Sequence, residues 1–134
     1  MTAETVGIVL VSHSARVAES VAELAVGLAA GGPVAPVAAA GGTADGGLGT
    51  SAERIATAVR EVDRGAGVAL LADLGSAVLT VKALLAEEEL PPGARLVDAP
   101  FVEGAVAAVV AASAGAPLDA VALAASEAYT YRKT

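Results

Sequence analysis

The sequence predicts a single α/β domain, an open parallel sheet with helices on both of its faces. Three observations lead there. Short, wholly apolar runs recur along the chain, Val6 to Val11 and Val68 to Ala72 being the clearest, and unbroken runs of this kind suit strands buried on both sides. Each is followed by a longer segment whose apolar residues repeat at helical spacing. Glycine, proline or a capping residue punctuates every junction. Strands that alternate with helices in this way form right-handed crossovers, and hence a parallel sheet.

Val6 to Val11, β-branched at Val6, Ile8, Val9 and Val11, reads as the first strand. Ser12-His13-Ser14 follows, and either serine is fit to cap the helix that starts at Ala15. Val17, Val21, Leu24, Ala25 and Leu28 supply the apolar stripe of that helix, opposite Arg16, Glu19 and Glu23. Gly31-Gly32-Pro33 stops it. Val34 to Ala39 is expected as a second strand, at a sheet edge because of Pro36. Gly41 to Gly49 is a glycine-rich loop, after which Thr50 or Ser51 caps a helix buried through Ile55, Val59 and Val62. Glu53 stands three residues beyond Thr50, the spacing of a capping box.

Val68 to Ala72 is the third strand and ends at Asp73. Leu74-Gly75-Ser76 opens a third helix with Ala77, Val81, Leu84 and Leu85 inward. Glu87-Glu88-Glu89 near its end opposes the helix dipole, so fraying is expected. Pro91-Pro92-Gly93 breaks the chain before a fourth strand from Ala94 to Ala99. Val102, Val106, Val109 and Val110 mark a fourth helix, and Leu118, Val121, Ala122 and Ala125 a fifth. The fourth helix has almost no polar side, which implies packing on both sides or a subunit contact. A homodimer is expected on that ground.

The 134 residues suit one domain, residues 1–134, with a core of its own. A net charge of -7 argues against nucleic acid as a partner, which requires a basic face. The chain has no cysteine, so disulfides and thiolate metal sites are excluded. Mean hydropathy is +0.67, yet the longest uncharged run, Leu24 to Ala44, is broken by Gly31, Gly32, Pro33, Pro36, Gly41 and Gly42. No membrane span is therefore expected, nor a signal peptide, since Glu4 and no basic residue precedes the first apolar run. A cytoplasmic protein follows.

His13 is the only histidine. It lies between the carboxyl end of a strand and the amino end of a helix, where open parallel sheets bind ligands. In the flavodoxin-like strand order 2-1-3-4, Asp73 faces it across the crevice between strands one and three. A carboxylate that accepts one imidazole N–H fixes the tautomer and exposes the other nitrogen as a nucleophile. The helix starts near Ser14, Thr50 and Ser76 offer N–H groups suited to phosphate oxygens, and Arg16 adds a positive charge. These parts describe a histidine that accepts and donates a phosphoryl group. Plainer roles compete: Ser12, Ser14 and Ser76 as caps, Arg16 as a solvated charge, and the glycine loop as a turn without a phosphate-loop fingerprint.

Rival chemistries fit less well. A receiver domain requires acidic residues where Ser12 and His13 stand. Asp73-Leu74-Gly75-Ser76-Ala77 lacks the nucleophile elbow of a serine hydrolase. One histidine without cysteine is a poor metal site. A non-catalytic nucleotide- or flavin-binding module remains as an alternative, although aromatic residues make up only 2% of the chain.

Val9-Leu10-Val11-Ser12-His13-Ser14, Gly49-Thr50-Ser51, Asp73-Leu74-Gly75-Ser76-Ala77 and Pro100-Phe101-Val102-Glu103-Gly104-Ala105 together resemble the DhaM family. These are the phosphocarrier subunits of phosphoenolpyruvate-dependent dihydroxyacetone kinase, whose first domain is like the mannose-type IIA domain of the sugar phosphotransferase system (PTS). The resemblance implies the 2-1-3-4 sheet, usually in a dimer. It implies that His13 takes a phosphoryl group from the carrier protein HPr and that Asp73 orients the ring. The acceptor would be ADP held on the DhaL subunit, and the ATP formed would serve DhaK. Ser12, Ser14, Arg16, Thr50, Ser51, Gly75 and Ser76 are the expected phosphate- or partner-contacting residues; no cofactor and no metal is required. With a single histidine there is no internal relay, so the donor is expected to be a separate protein. Leu74-Gly75-Ser76-Ala77 differs from the Gly-Gly-Ser-Pro turn of mannose-type relatives and favours the dihydroxyacetone branch, with a sugar-specific carrier as the alternative.

Overall fold

The computed structural model describes residues 4–134. Four strands, β1 (Gly7–Ser12), β2 (Val37–Gly41), β3 (Val68–Ala72) and β4 (Ala94–Leu96), form one sheet in the order β2-β1-β3-β4. Every neighbouring pair is parallel. Five helices connect and follow them: α1 (Ala15–Ala29), α2 (Ala52–Val62), α3 (Gly75–Ala86), α4 (Phe101–Ser113) and α5 (Leu118–Glu127). A single 3-10 turn, Ala128–Thr130, follows α5.

Side chains of a strand alternate between the two faces of its sheet, and here the alternation sorts the core into two layers. Ile8, Leu10, Ala69 and Leu71 pack with Val21 and Ala25 of α1, with α4, and with Val121 and Ala125 of α5. Val9, Val11, Val68 and Leu70 pack with Ile55 and Val59 of α2 and Val81 and Leu84 of α3. The chain thus leaves β1 toward one face and β3 toward the other. Their carboxyl ends form the point of reversal at which such sheets open a crevice.

Several local expectations are corrected. The buried line of α1 is Ala18, Val21 and Ala25, whereas Val17, Leu24 and Leu28 are 44%, 45% and 61% exposed. Small side chains on both α1 and α4, among them Ala105, Ala108 and Ala112, let the two helices approach closely, which turns the larger residues outward. The second strand is an edge strand as expected but starts later, at Val37. Ahead of it, the Ala35 N–H is taken by Ser113 Oγ of α4 at 2.9 Å rather than by a ladder.

The fourth strand stops at Leu96 rather than Ala99. Beyond it Asp98 turns to the last helix and turn, accepting from Ser126 Oγ at its carbonyl and from the Tyr129 hydroxyl at its carboxylate. The acidic triplet lies just past α3, which ends at Ala86 in a hydrogen-bonded closure. Glu88 adopts φ 56°, and the Glu88 and Glu89 N–H groups donate to the carbonyls of Leu85 and Leu84, the bonding of a Schellman closure. The fourth helix is sandwiched against the sheet, α1 and α5, leaving Val102 and Val110 exposed.

Glycine places β2 against the site. A Cβ at Gly41 would lie 2.5 Å from the Ser14 carbonyl oxygen, so only glycine lets the end of β2 pass the start of α1.

Candidate functional site

β1 ends on Ser12, the one buried polar residue among those described. Its hydroxyl donates to Asp73 Oδ2 at 2.8 Å and accepts the Ser14 N–H at 3.0 Å. His13 follows on the turn, its side chain 23% exposed. Its backbone N–H donates to Asp73 Oδ2 at 3.2 Å, and its ring Nδ1 lies 3.0 Å from Oδ1. The Leu74 N–H donates to the same Oδ1 at 2.7 Å. Asp73 itself continues the β3 ladder through its N–H to the Val11 carbonyl. The two adjacent strand ends therefore hold carboxylate and imidazole in one register.

Partial burial pushes the Asp73 carboxyl upward, but the hydrogen bonds from Ser12, from the His13 ring and backbone and from Leu74 outweigh it. The net result is a carboxyl held below its ordinary value, and therefore ionised at neutral pH. An ionised Asp73 accepts the proton of Nδ1. The lone pair of Nε2 then points away from it, and Ser76 Oγ is the group that meets Nε2. The hydroxyl of Ser76 donates there.

The glycine-rich loop folds onto the same turn. The Gly49 N–H donates to the His13 carbonyl at 2.9 Å and the Gly42 N–H to the Ser12 carbonyl at 3.2 Å. Beyond the loop, Thr50 Oγ1 lies 2.9 Å from Thr80 Oγ1 on α3. Thr80 Oγ1 in turn donates to the Ser76 carbonyl at 3.0 Å.

The remaining sequence-predicted residues divide plainly. Ser14 caps α1 by accepting the Val17 N–H, and Ser51 caps α2 by accepting the Arg54 N–H. Ser12 and Ser76 are not caps: the first binds Asp73, and the second lies inside α3, whose cap position is Leu74. With Ser51 as the cap, Glu53 falls one position short of the capping box expected with Thr50. Gly75 opens α3, where an added Cβ would meet nothing within 4 Å. Arg16 is exposed and has no hydrogen bond or ion pair among the described residues, so no contact ties it to the imidazole.

Thr80 was missed. Its signal was the four-residue spacing from Ser76, which sets both on one helix face. No cluster of three metal-ligating side chains occurs among the described residues. A cleft of about 630 Å³ adjoins the site through Asp73, Leu74 and Gly75 and extends toward Lys82, Phe101 and Tyr129.

Comparison with known proteins shows the family. The family model EIIA-man, described as PTS system fructose IIA component, matches residues 7–122. The phosphoryl donor subunit DhaM of PEP-dependent dihydroxyacetone kinase 2 from Listeria innocua is 36% identical over 107 residues, covering 78% of this chain and 84% of that protein. The DhaM subunit of Escherichia coli K12 is 37% identical over 120 residues, covering 87% of this chain but only 25% of that protein. This chain thus spans most of the first relative and about a quarter of the second. Among solved structures, the unknown function protein EF1359 superposes with a TM-score of 0.75 at 32% identity, covering 92% of this chain and 94% of that one. A sigma-54 interaction domain protein from Enterococcus faecalis shares the fold, with a TM-score of 0.67 at 18% identity. The chain belongs to the EIIA-man family of phosphotransferase-system IIA components, and its relatives include DhaM phosphoryl donor subunits.

Proposed function

We propose that this chain is a histidine phosphocarrier of a dihydroxyacetone kinase system. His13 receives a phosphoryl group from the phosphohistidine of HPr and passes it to ADP on a DhaL subunit. The ATP so formed serves DhaK. The observation that carries this reading is the 3.0 Å contact between His13 Nδ1 and Asp73 Oδ1, with Nε2 left on the outer side of the ring.

The chemistry follows from that contact. The Nε2 lone pair attacks phosphorus in line, and the bond from phosphorus to the donor nitrogen breaks, returning its electron pair to the donor ring. Asp73 stabilises the positive charge that the attack leaves on the His13 ring. Ser76 Oγ, displaced from Nε2 by the incoming phosphorus, turns its proton to a phosphoryl oxygen. The N–H groups at the start of α3, Gly75 and Ser76 among them, face the remaining oxygens. Transfer to ADP reverses the sequence, with a β-phosphate oxygen as nucleophile. The chain requires no cofactor of its own for either step, and the reading places it in the cytoplasm. Val102 and Val110, exposed on α4, support its working as a homodimer.

Incubation with phosphoenolpyruvate, the first phosphotransferase enzyme and HPr tests the proposal. Wild type acquires one acid-labile phosphate, and a folded His13→Ala variant acquires none; equal labelling of the variant would refute it. The description of the family model, a fructose IIA component, favours a second reading, a carrier for a sugar-specific system. The acceptor decides between them: loss of label to ADP with DhaL supports the first, and loss only to a sugar-specific carrier the second.

A further inference from the structure

We infer that Thr80, with Thr50, forms a strap that positions Ser76 over the imidazole of His13. The inference rests on the phosphocarrier reading and adds to it two residues that touch neither phosphate nor ring.

Proton counting sets the direction of the strap. A threonine hydroxyl has one proton to donate. That of Thr80 goes to the Ser76 carbonyl, 3.0 Å away and four residues back on α3. At the 2.9 Å contact between the two threonines, Thr50 must therefore be the donor and Thr80 the acceptor. The chain of donation runs from Thr50 to Thr80 Oγ1 and from Thr80 to the Ser76 carbonyl. Ser76 Oγ then meets His13 Nε2. Thr50 stands just ahead of the Ser51 cap of α2, whereas Thr80 is one turn into α3. The strap therefore ties the openings of two helices across the site.

Bonding of a helix threonine to the carbonyl four residues back is by itself common and slightly bends a helix. The second bond, from a residue thirty positions away, distinguishes this threonine. It fixes the first turn of α3 from outside, where α3 has no side-chain cap of its own. Fixing that turn keeps the Ser76 hydroxyl within reach of Nε2 before phosphorylation and of a phosphoryl oxygen after it. The proton of Thr50 is committed to Thr80, so Thr50 acts as a positioning residue rather than as a phosphate ligand.

The test compares Thr80→Val, Thr80→Ser and Ser76→Ala, alone and combined, in the full chain with phospho-HPr as donor. Thr80→Val keeps the shape and removes the hydroxyl. It is expected to slow labelling of His13 by about 3- to 10-fold, the range of one neutral hydrogen bond, and Thr80→Ser to restore most of the rate. In the Ser76→Ala background Thr80→Val should add nothing, because its route to the ring is gone. Thr50→Val cuts the strap from the other side without altering α3, and should slow labelling in the same direction. A second readout needs no donor. The nitrogen-15 resonance of His13 Nε2 should move in Thr80→Val against wild type, and should not move in the double variant against Ser76→Ala. An undiminished rate with an unmoved resonance, or an equal further loss in the Ser76→Ala background, overturns the inference. Should wild type take no label, the phosphocarrier reading fails, and the resonance comparison still decides whether Thr80 acts through Ser76.

Discussion

At the scale of residues, the site is a carboxylate with four hydrogen-bond donors and an imidazole with two distinct nitrogens. Replacing Asp73 by Asn keeps the shape but exchanges a charged acceptor for a neutral one. A hydrogen bond to a charged group is worth about 1.5–3 kcal/mol, so Asp73→Asn is expected to slow phosphoryl uptake by about 10- to 100-fold while His13 remains the labelled residue. An unchanged rate would remove Asp73 from the orienting role. The same carboxyl makes stability depend on pH. Its folded value lies below the ordinary 3.8, so its contribution is present above that value and is lost as pH falls through the folded one. Thermal unfolding from about pH 5 to about pH 3 should show wild type losing stability more steeply than Asp73→Asn; parallel curves would count against the bonded carboxylate. His13 and Asp73 were legible because each stands within two residues of the last apolar position of a strand run, Val11 and Ala72. The sequence offers Ser76 as a cap or as a phosphate contact and gives Thr80 no role. Their roles depend on how far α3 is rotated about its axis, which the pattern of Ala77, Val81 and Leu84 constrains only loosely.

At the scale of elements, the turn after β1 is held by its neighbours. Ser14 ends the turn by capping α1, and the Gly42 and Gly49 N–H groups bind its carbonyls from the loop after β2. Ser14→Ala removes the cap and is expected to cost about 1 kcal/mol, read as a lower urea midpoint with an unchanged slope; no shift would show that the cap contributes nothing. All four strands and five helices could be found in the sequence, yet their details were not. The apolar stripe read on α1 gives equal weight to Val17, Val21, Leu24, Ala25 and Leu28, whereas packing against the sheet and α4 selects Ala18, Val21 and Ala25. Such a choice depends on the approach distance between two helices and leaves no trace in the periodicity of one. The ends of β2 and β4 moved for a related reason. Ser113, Ser126 and Tyr129 take the backbone and side-chain groups of Ala35 and Asp98, and all three are distant in sequence from the strands they limit.

For the whole molecule, the decisive feature is that α1 leaves β1 on one face of the sheet and α3 leaves β3 on the other. That reversal brings residues sixty positions apart within hydrogen-bond distance. The strand order was the largest single expectation drawn from the sequence, and the positions of Asp73 and His13 depended on it. Val102 and Val110 on α4, together with Val17, Leu24 and Leu28 on α1, remain exposed. Sedimentation should show a dimer, weakened by Val110→Glu; a monomer at high concentration would place the functional unit in one chain. The central claim is that Asp73 holds the proton of Nδ1 so that Nε2 carries the phosphoryl group. Nitrogen-15 spectroscopy of the labelled His13 ring, before and after exposure to phospho-HPr, tests it most directly. A proton on Nδ1 throughout, with phosphorus coupled to Nε2 afterwards, is the result expected. Phosphorus on Nδ1, or on any residue other than His13, would contradict the account.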